Sequence, residues 1–115
     1  MDKGRVLFVD NKPTLLSALS EIFSAEYAVF TCAGAEGALA ILKSERIEVV
    51  VSDYKMPGMD GLSFLIEVKR RCPQTIRILM TGYADMQLVI RAMNEGEVHR
   101  FIAKPYKLTE LRTML

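Results

Sequence analysis

This 115-residue chain has few cysteines, one histidine, little net charge and no long apolar run, and each of these features argues against a kind of site or location. Cys32 and Cys72 form no C-x-x-C pair, and we interpret them as packed, reduced thiols in a cytoplasmic protein. The single histidine, His99, has no serine or cysteine nucleophile placed for it, so we interpret it as a loop or partner-facing residue. The net charge is only +1, which gives no electrostatic basis for binding nucleic acid or a membrane surface. No apolar run approaches a membrane span, and the N-terminus lacks a signal-peptide pattern.

Two kinds of apolar segment alternate along the chain. Short runs rich in β-branched and aliphatic residues are typical of buried strands, and they lie at residues 5–9, 27–31, 49–51, 76–80 and 100–103. Segments with apolar residues at helical spacing follow each of them. Strict alternation predicts right-handed crossovers and a parallel sheet with helices on both faces. We therefore expect one domain with a three-layer α/β/α fold.

Polar side chains that could bind a ligand or take part in catalysis lie where the predicted strands end. Asp53 follows the Val-Val-Val run, and Asp10 and Asn11 follow the first strand. Thr81 ends the fourth strand, and Lys104 follows the fifth. An aspartate at such a place can simply be a turn or capping residue. However, a parallel sheet brings the carboxyl ends of its strands to one edge, which is where α/β proteins bind ligands.

The chemistry of this set favours phosphoryl transfer to a carboxylate. Asp10 and Asp53 would repel each other unless a cation lies between them, and oxygen ligands of this kind suit Mg²⁺. Lys104 adds a second positive charge, and one unit-charge contact at ~4 Å is worth about 4 kcal/mol at an effective dielectric of ~20. The cations would neutralise phosphoryl oxygens, the Thr81 hydroxyl would donate to one, and Asp53 would attack.

Four motifs give the chain a resemblance to a known family over essentially its whole length. They are Val-Asp at residues 9–10, Ser-Asp-Tyr-Lys-Met-Pro-Gly-Met-Asp-Gly at 52–61, Met-Thr-Gly at 80–82 and Ala-Lys-Pro at 103–105. In this order, each at the end of a predicted strand, they resemble the receiver domain of a two-component response regulator. The resemblance implies a five-stranded parallel sheet in the flavodoxin-like order 2-1-3-4-5. Residues 81–85, 94–96 and 100–101 are similar to receivers attached to transcriptional activators or cyclic-dinucleotide phosphodiesterases.

The same resemblance implies roles for individual side chains. Asp53 would accept a phosphoryl group from a histidine kinase or a phosphotransfer protein. Thr81 and Lys104 would contact that group. Phe101 matches the aromatic switch position three residues before the lysine, so Thr81 and Phe101 would form the switch. The function implied is signalling rather than enzymatic, through an attached or partner output domain.

The implied metal site contains the one departure from the family pattern. The resemblance implies Mg²⁺ held by Asp10, Asp53, the main-chain carbonyl of Lys55 and the residue after Asp10. That residue is usually acidic, but here it is Asn11, which has no charge to contribute. Lys12 then adds a cation at the same rim unless it extends into solvent. Asn11 could instead be a turn or capping residue, and Mg²⁺ binding is expected to be weakened in either case.

Two other functions remain open at this point. The Asn11 and Lys12 departure supports a receiver that acts as an interaction module without phosphorylation. A Mg²⁺-dependent phosphatase on a related fold is the other, although such enzymes usually place a second acid two residues after the nucleophile. The short last helix suggests a fragment of a longer protein with a C-terminal output domain. In the fourth predicted helix, the inner face is expected to contain Met86, Val89, Ile90 and Met93. Leu88 and Ala92, expected to face outward, suggest a docking face, and a receiver dimer through the strand 4–strand 5 side is one use of it.

Overall fold

The computed structural model describes residues 3–115, which form alternating strands and helices. The strands are β1 (Gly4–Val9), β2 (Tyr27–Cys32), β3 (Val49–Asp53), β4 (Ile76–Thr81) and β5 (Arg100–Ala103). The α-helices are α1 (Pro13–Phe23), α2 (Ala35–Ser44), α3 (Gly61–Arg71), α4 (Met86–Asn94) and α5 (Leu108–Met114). A 3-10 turn, Tyr83–Asp85, lies between β4 and α4.

All strand pairs are parallel, and the sheet order is β2-β1-β3-β4-β5. The chain therefore reverses its direction of winding between β1 and β3, which is the switch point where this class of fold binds ligands. The predicted fold class and strand order are both confirmed. None of the helices in residues 3–115 is long and apolar enough to span a membrane.

Each face of the sheet has its own hydrophobic core. Side chains from α2, α3 and α4 pack on one face around Leu7, Val50 and Leu79. Side chains from α1 and α5 pack on the other around Phe8 and Ile78. Successive residues of a strand point to opposite faces, so the continuous apolar runs fill both cores. These are the three layers of the α/β/α arrangement.

Local signals in the sequence account for several helix ends. Pro13 is the first residue of α1, where its missing N–H costs nothing. The Asp60 carboxylate accepts a hydrogen bond from the Ser63 N–H at 2.8 Å and caps α3. Gly96, just past the end of α4, has φ +75°, a conformation that glycine adopts without strain.

The orientation expected for α4 was wrong at two positions. Ala92 was expected to face outward but is buried together with Val89, whereas Ile90 was expected inside and is 49% exposed. Apolar residues lie on several sides of this short helix, so the spacing alone fits more than one face. Ala92 packs in the core cluster on this face of the sheet. Asp85 does occupy the N-cap position, but its side chain makes no capping hydrogen bond.

Candidate functional site

The ends of four strands bring the candidate residues to the carboxyl edge of the sheet. Asp53 is the last residue of β3 and Thr81 the last of β4. Asp10 directly follows β1, and Lys104 directly follows β5. Because β1, β3, β4 and β5 are neighbours in one parallel sheet, side chains far apart in sequence converge here.

Asp53 is paired with Lys104. The Lys104 Nζ donates to Asp53 Oδ1 at 2.6 Å, a contact across 51 residues of sequence. Asp53 is only 3% exposed, whereas the Lys104 side chain is 30% exposed and reaches the solvent-facing side of the pair. A cleft of about 240 Å³ lies over this pair, and its lining also includes Thr81, Lys55 and Asp85. A small charged group can therefore reach Asp53 from solvent.

Asp10 is fully buried and only half satisfied. Its Oδ1 accepts a hydrogen bond from the Lys12 main-chain N–H at 2.9 Å, while Oδ2 is buried and has no hydrogen-bond partner among residues 3–115. Burial raises the pKa of this carboxyl above its ordinary value, and the nearby charge of Asp53 raises it further. The Lys12 N–H and the charge of Lys104 act in the opposite direction. A buried oxygen with no partner is a position that a cation could satisfy.

Asn11 and Lys55 lie at one rim, on a second cleft of about 500 Å³ beside the first. Both clefts share Tyr54, Lys55 and Asp85. No group of three or more His, Cys, Asp or Glu side chains that could hold a metal occurs in residues 3–115, so the oxygen atoms available near Asp10 and Asp53 include amide and main-chain carbonyl groups. These are hard oxygen donors of the type that Mg²⁺ accepts, but they carry less negative charge than a three-carboxylate site.

A glycine fixes the main chain directly after Asp53. A Cβ on Gly61 would lie 1.9 Å from the Asp53 carbonyl oxygen, so only glycine fits this approach. The Gly61 N–H donates to the Tyr54 carbonyl at 2.7 Å, and the Tyr54 N–H donates to the Met80 carbonyl at 2.9 Å. The first bond closes the loop after β3 onto its own start, and the second continues the pairing of β3 with β4, so the main chain that carries the Asp53 carboxylate at the floor of the cleft is fixed.

The two residues of the expected switch lie on the same side of the sheet. Thr81 is buried, and its hydroxyl donates to the Gly82 carbonyl at 3.3 Å. Phe101 is half-buried against the core cluster that contains Leu79, its partner in the register of β4 and β5. Thr81 pairs with Ala103 in the same register, two positions further on. Ala103, a small residue, therefore lies opposite Thr81 and on the same face of β5 as Phe101.

Tyr106 is a residue near the site that the sequence reasoning missed. Its pKa is raised, first by burial and then by the negative charges of Asp10 and Asp53, so its phenol lies within electrostatic reach of both acids. The available signal was its position two residues after Lys104, in the loop that leaves the same edge of the sheet. Its ring packs against the core on the α1 and α5 side.

The fold and this acidic pocket define a class of α/β signalling proteins, and comparison with known proteins identifies the family. The family model described as "Response regulator receiver domain" matches residues 6–115. The chain therefore belongs to the receiver-domain family of two-component response regulators. Members of this family typically bind Mg²⁺ in their acidic pocket and interact with histidine kinases or phosphotransfer proteins.

The relatives are of two sizes. The hydrogenase transcriptional regulatory protein HoxA of Cupriavidus necator is 36% identical over 104 residues, which cover 90% of this chain and 22% of HoxA. The chain thus spans about a fifth of the length of that relative. Sporulation initiation phosphotransferase F of Bacillus subtilis is 33% identical over 113 residues, which cover 97% of this chain and 90% of that protein. A solved structure titled adenylate cyclase from Rhodopirellula baltica superposes with a TM-score of 0.93 at 33% identity, covering 97% of this chain and 84% of that one.

Proposed function

We propose that Asp53 is the phosphoacceptor of this receiver domain. The observation that carries the proposal is the 2.6 Å contact between Lys104 and Asp53 at the floor of an open cleft. An Asp53 oxygen would attack the phosphorus of a phosphohistidine donor. The phosphorus–nitrogen bond would break, and the imidazole nitrogen would keep the bonding electron pair and take up a proton. The product is an acyl phosphate on Asp53.

Lys104 and Thr81 would stabilise the transferred group. Lys104 carries a permanent positive charge, and its ammonium group can shift its contact from the Asp53 carboxylate to a phosphoryl oxygen. The Thr81 hydroxyl now donates to the Gly82 carbonyl, and we propose that it turns to donate to a second phosphoryl oxygen. This movement would vacate space behind Thr81, and the half-buried Phe101 ring would fill it. Phosphorylation would then change the surface around β4, α4 and β5.

We further propose that Asp10, Asn11, Asp53 and the carbonyl of Lys55 hold Mg²⁺. The unpartnered Oδ2 of buried Asp10 supports this assignment. A bound Mg²⁺ would supply charge that offsets the acids and the phosphoryl oxygens. Because Asn11 replaces an acid, the site would bind Mg²⁺ more weakly than a site with three carboxylates.

The proposed phosphorylation of Asp53 implies two kinds of partner, a phosphoryl donor and an output domain. The donor would be a histidine kinase or a phosphotransfer protein, and the recipient an attached or partner output domain in the cytoplasm. We propose signalling through the surface of β4, α4 and β5, which Ile90 leaves partly apolar, and a second receiver as one occupant of it. The domain would act as a switch and not turn over an external substrate.

Intact-mass analysis with a small-molecule phosphodonor and Mg²⁺ tests the proposed function. The wild type should gain the mass of one phosphoryl group, and Asp53→Asn should gain none. Asp60→Asn is the matched control, because asparagine also caps helices and Asp60 lies in the same loop. This control should be phosphorylated like the wild type. Equal labelling of the wild type and Asp53→Asn would reject the assignment.

A second candidate is a receiver that binds its partner without phosphorylation. The replacement of an acid by Asn11 favours it, together with a Lys104–Asp53 pair that already neutralises the acceptor. Partner binding that is unaffected by Asp53→Asn and by the phosphodonor would establish this alternative.

A further inference from the structure

The end of the sheet opposite Asp53 contains a buried arginine that the proposed function does not use. Arg77, the second residue of β4, is only 3% exposed and belongs to none of the ion pairs in residues 3–115. Its guanidinium donates instead to four main-chain carbonyls, those of Glu97 (2.8 Å), Gly96 (3.1 Å), Thr75 (3.1 Å) and Pro73 (3.4 Å).

This arrangement is costly, which makes its geometry informative. Burial of the guanidinium lowers the pKa of Arg77 from its ordinary value, because the charged form loses its hydration. An apolar side chain of similar volume would fill the same space without this penalty. What the arginine provides, and an apolar residue would not, is a rigid fork of donors that ties separate main-chain segments to one strand.

The segments tied by Arg77 are the end of α4 and the loop before β4. Gly96 and Glu97 lie two and three residues past the end of α4, and the Arg77 N–H also donates to Nδ1 of the His99 ring at 3.0 Å. The His99 N–H returns a bond to the Arg77 carbonyl at 2.9 Å. Lys69 of α3 adds a contact of 3.4 Å to the Glu95 carbonyl. The C-terminal end of α4 is therefore held to the sheet at several points.

The N-terminal end of α4 has fewer hydrogen bonds to the rest of the domain than the C-terminal end. It is preceded by the 3-10 turn, and in residues 3–115, apart from bonds inside the helices, one main-chain hydrogen bond lies there, from the Asp85 N–H to the Gly82 carbonyl at 3.3 Å. Asp85 makes no side-chain cap. Arg77 and Thr81 are four residues apart on β4 and so point to the same face, at opposite ends of α4. One end of the helix is clamped, and the other lies beside the residue proposed to move.

We propose that Arg77 is a positioning residue that clamps the C-terminal end of α4 to the sheet. Within the α4 region, the change that phosphorylation produces at Thr81 is thereby confined to the 3-10 turn and the N-terminal half of the helix. This inference rests on the proposed phosphorylation of Asp53 and deepens it, because it states which part of the α4 surface a partner would read.

Amide hydrogen exchange, measured with and without Mg²⁺ and beryllium fluoride as a phosphoryl mimic, tests the clamp. The reporters at the clamped end are the amides of Glu95, Gly96 and Glu97, which donate within the last turn of the helix. In the wild type, the mimic should change exchange in residues 83–90 by about tenfold or more and leave these three amides unchanged. In Arg77→Met, the change should extend through all three. Arg91→Met, which removes an exposed arginine from the same helix, is the matched control and should behave like the wild type.

The unliganded proteins give an independent result. Without the mimic, Arg77→Met should exchange the three reporter amides about tenfold faster than the wild type, since the hydrogen bonds of a charged donor are lost. Arg77→Lys should fall in between, and it serves for the whole comparison if the methionine variant does not fold. Equal changes at both ends of α4 in the wild type, or unaltered reporter amides in the variants, would overturn the clamp. Failure of beryllium fluoride to bind, seen by native mass spectrometry, would instead reject the phosphoacceptor assignment, and the unliganded rates would still decide whether Arg77 holds the helix.

Discussion

Replacing Asn11 by aspartate tests the proposed metal site most sharply. The substitution changes an amide to a carboxylate of nearly the same shape at the rim where Asn11 and Lys55 line one cleft. It adds a third acid to Asp10 and Asp53, of which only Asp53 is paired with a lysine. Without metal, we expect Asn11→Asp to be less stable than the wild type, because like charges at close range repel.

The size of the metal effect follows from the exposure of Asn11. A unit charge about 4 Å from a cation is worth about 1 kcal/mol in water and about 4 kcal/mol at an effective dielectric of ~20. Asn11 is exposed, so the lower part of that range applies. An added attraction of about 1.4 kcal/mol corresponds to about tenfold tighter Mg²⁺ binding. At saturating Mg²⁺, the extra stabilisation would raise the melting temperature by about 4 to 6 °C for a domain of this size.

Thermal unfolding across a Mg²⁺ titration, with EDTA as the metal-free reference, measures both effects. Asn94→Asp is the matched control, because it makes the same chemical change at the exposed end of α4. Its response to Mg²⁺ should equal that of the wild type. If Mg²⁺ stabilises the wild type and Asn11→Asp equally, then Asn11 does not contact the metal and is a turn residue.

Three further outcomes are expected. Asp10→Asn removes a buried charge with an unpartnered oxygen. In urea unfolding, it should therefore stabilise the metal-free protein by about 1 to 3 kcal/mol and abolish stabilisation by Mg²⁺. A loss of stability without metal would contradict this. Burial first, and then the charges of Arg77 and Arg100, lower the pKa of His99. Below the ordinary histidine pKa of about 6.5, the unfolded state therefore binds more protons than the folded state. The free energy of unfolding should rise with pH up to that value and then level off. Urea unfolding across this range should show that His99→Asn flattens the rise, and an unchanged slope would count against it. Phe101 has no hydroxyl, so turning its ring inward gives up no hydrogen bond. NMR should therefore find an inward ring population in the unmodified protein, and a single outward rotamer would oppose the proposed switch.

The fold could be predicted from the sequence because its signals are local and repeated. Each buried strand is a continuous apolar run, and strict alternation with helices restricts the topology to a parallel sheet. The convergence of Asp10, Asp53, Thr81 and Lys104 at one edge then follows from the direction of the strands. The pairing of Lys104 with Asp53 is the geometric result that this reasoning anticipated most closely.

Other features depend on tertiary contacts that the sequence does not display. Ile90 and Ala92 of α4 were assigned to the wrong sides because apolar residues surround the helix, and its spacing alone fits more than one face. Arg77 lies within an apolar strand, and nothing local indicates that two of its four acceptors would be the Gly96 and Glu97 carbonyls, which are 19 and 20 residues further along the chain. The proximity of Tyr106 to the acids likewise depends on the path of the loop after β5.

Chemical trapping of the modified residue tests whether Asp53 carries the phosphoryl group. Borohydride reduces an aspartyl phosphate to homoserine, which peptide sequencing by mass spectrometry locates. After treatment with a small phosphodonor and Mg²⁺, we expect homoserine at residue 53, and none when the phosphodonor is omitted. A phosphorylated protein that yields homoserine at another aspartate, or that carries its phosphate on His99, would show that Asp53 is not the acceptor.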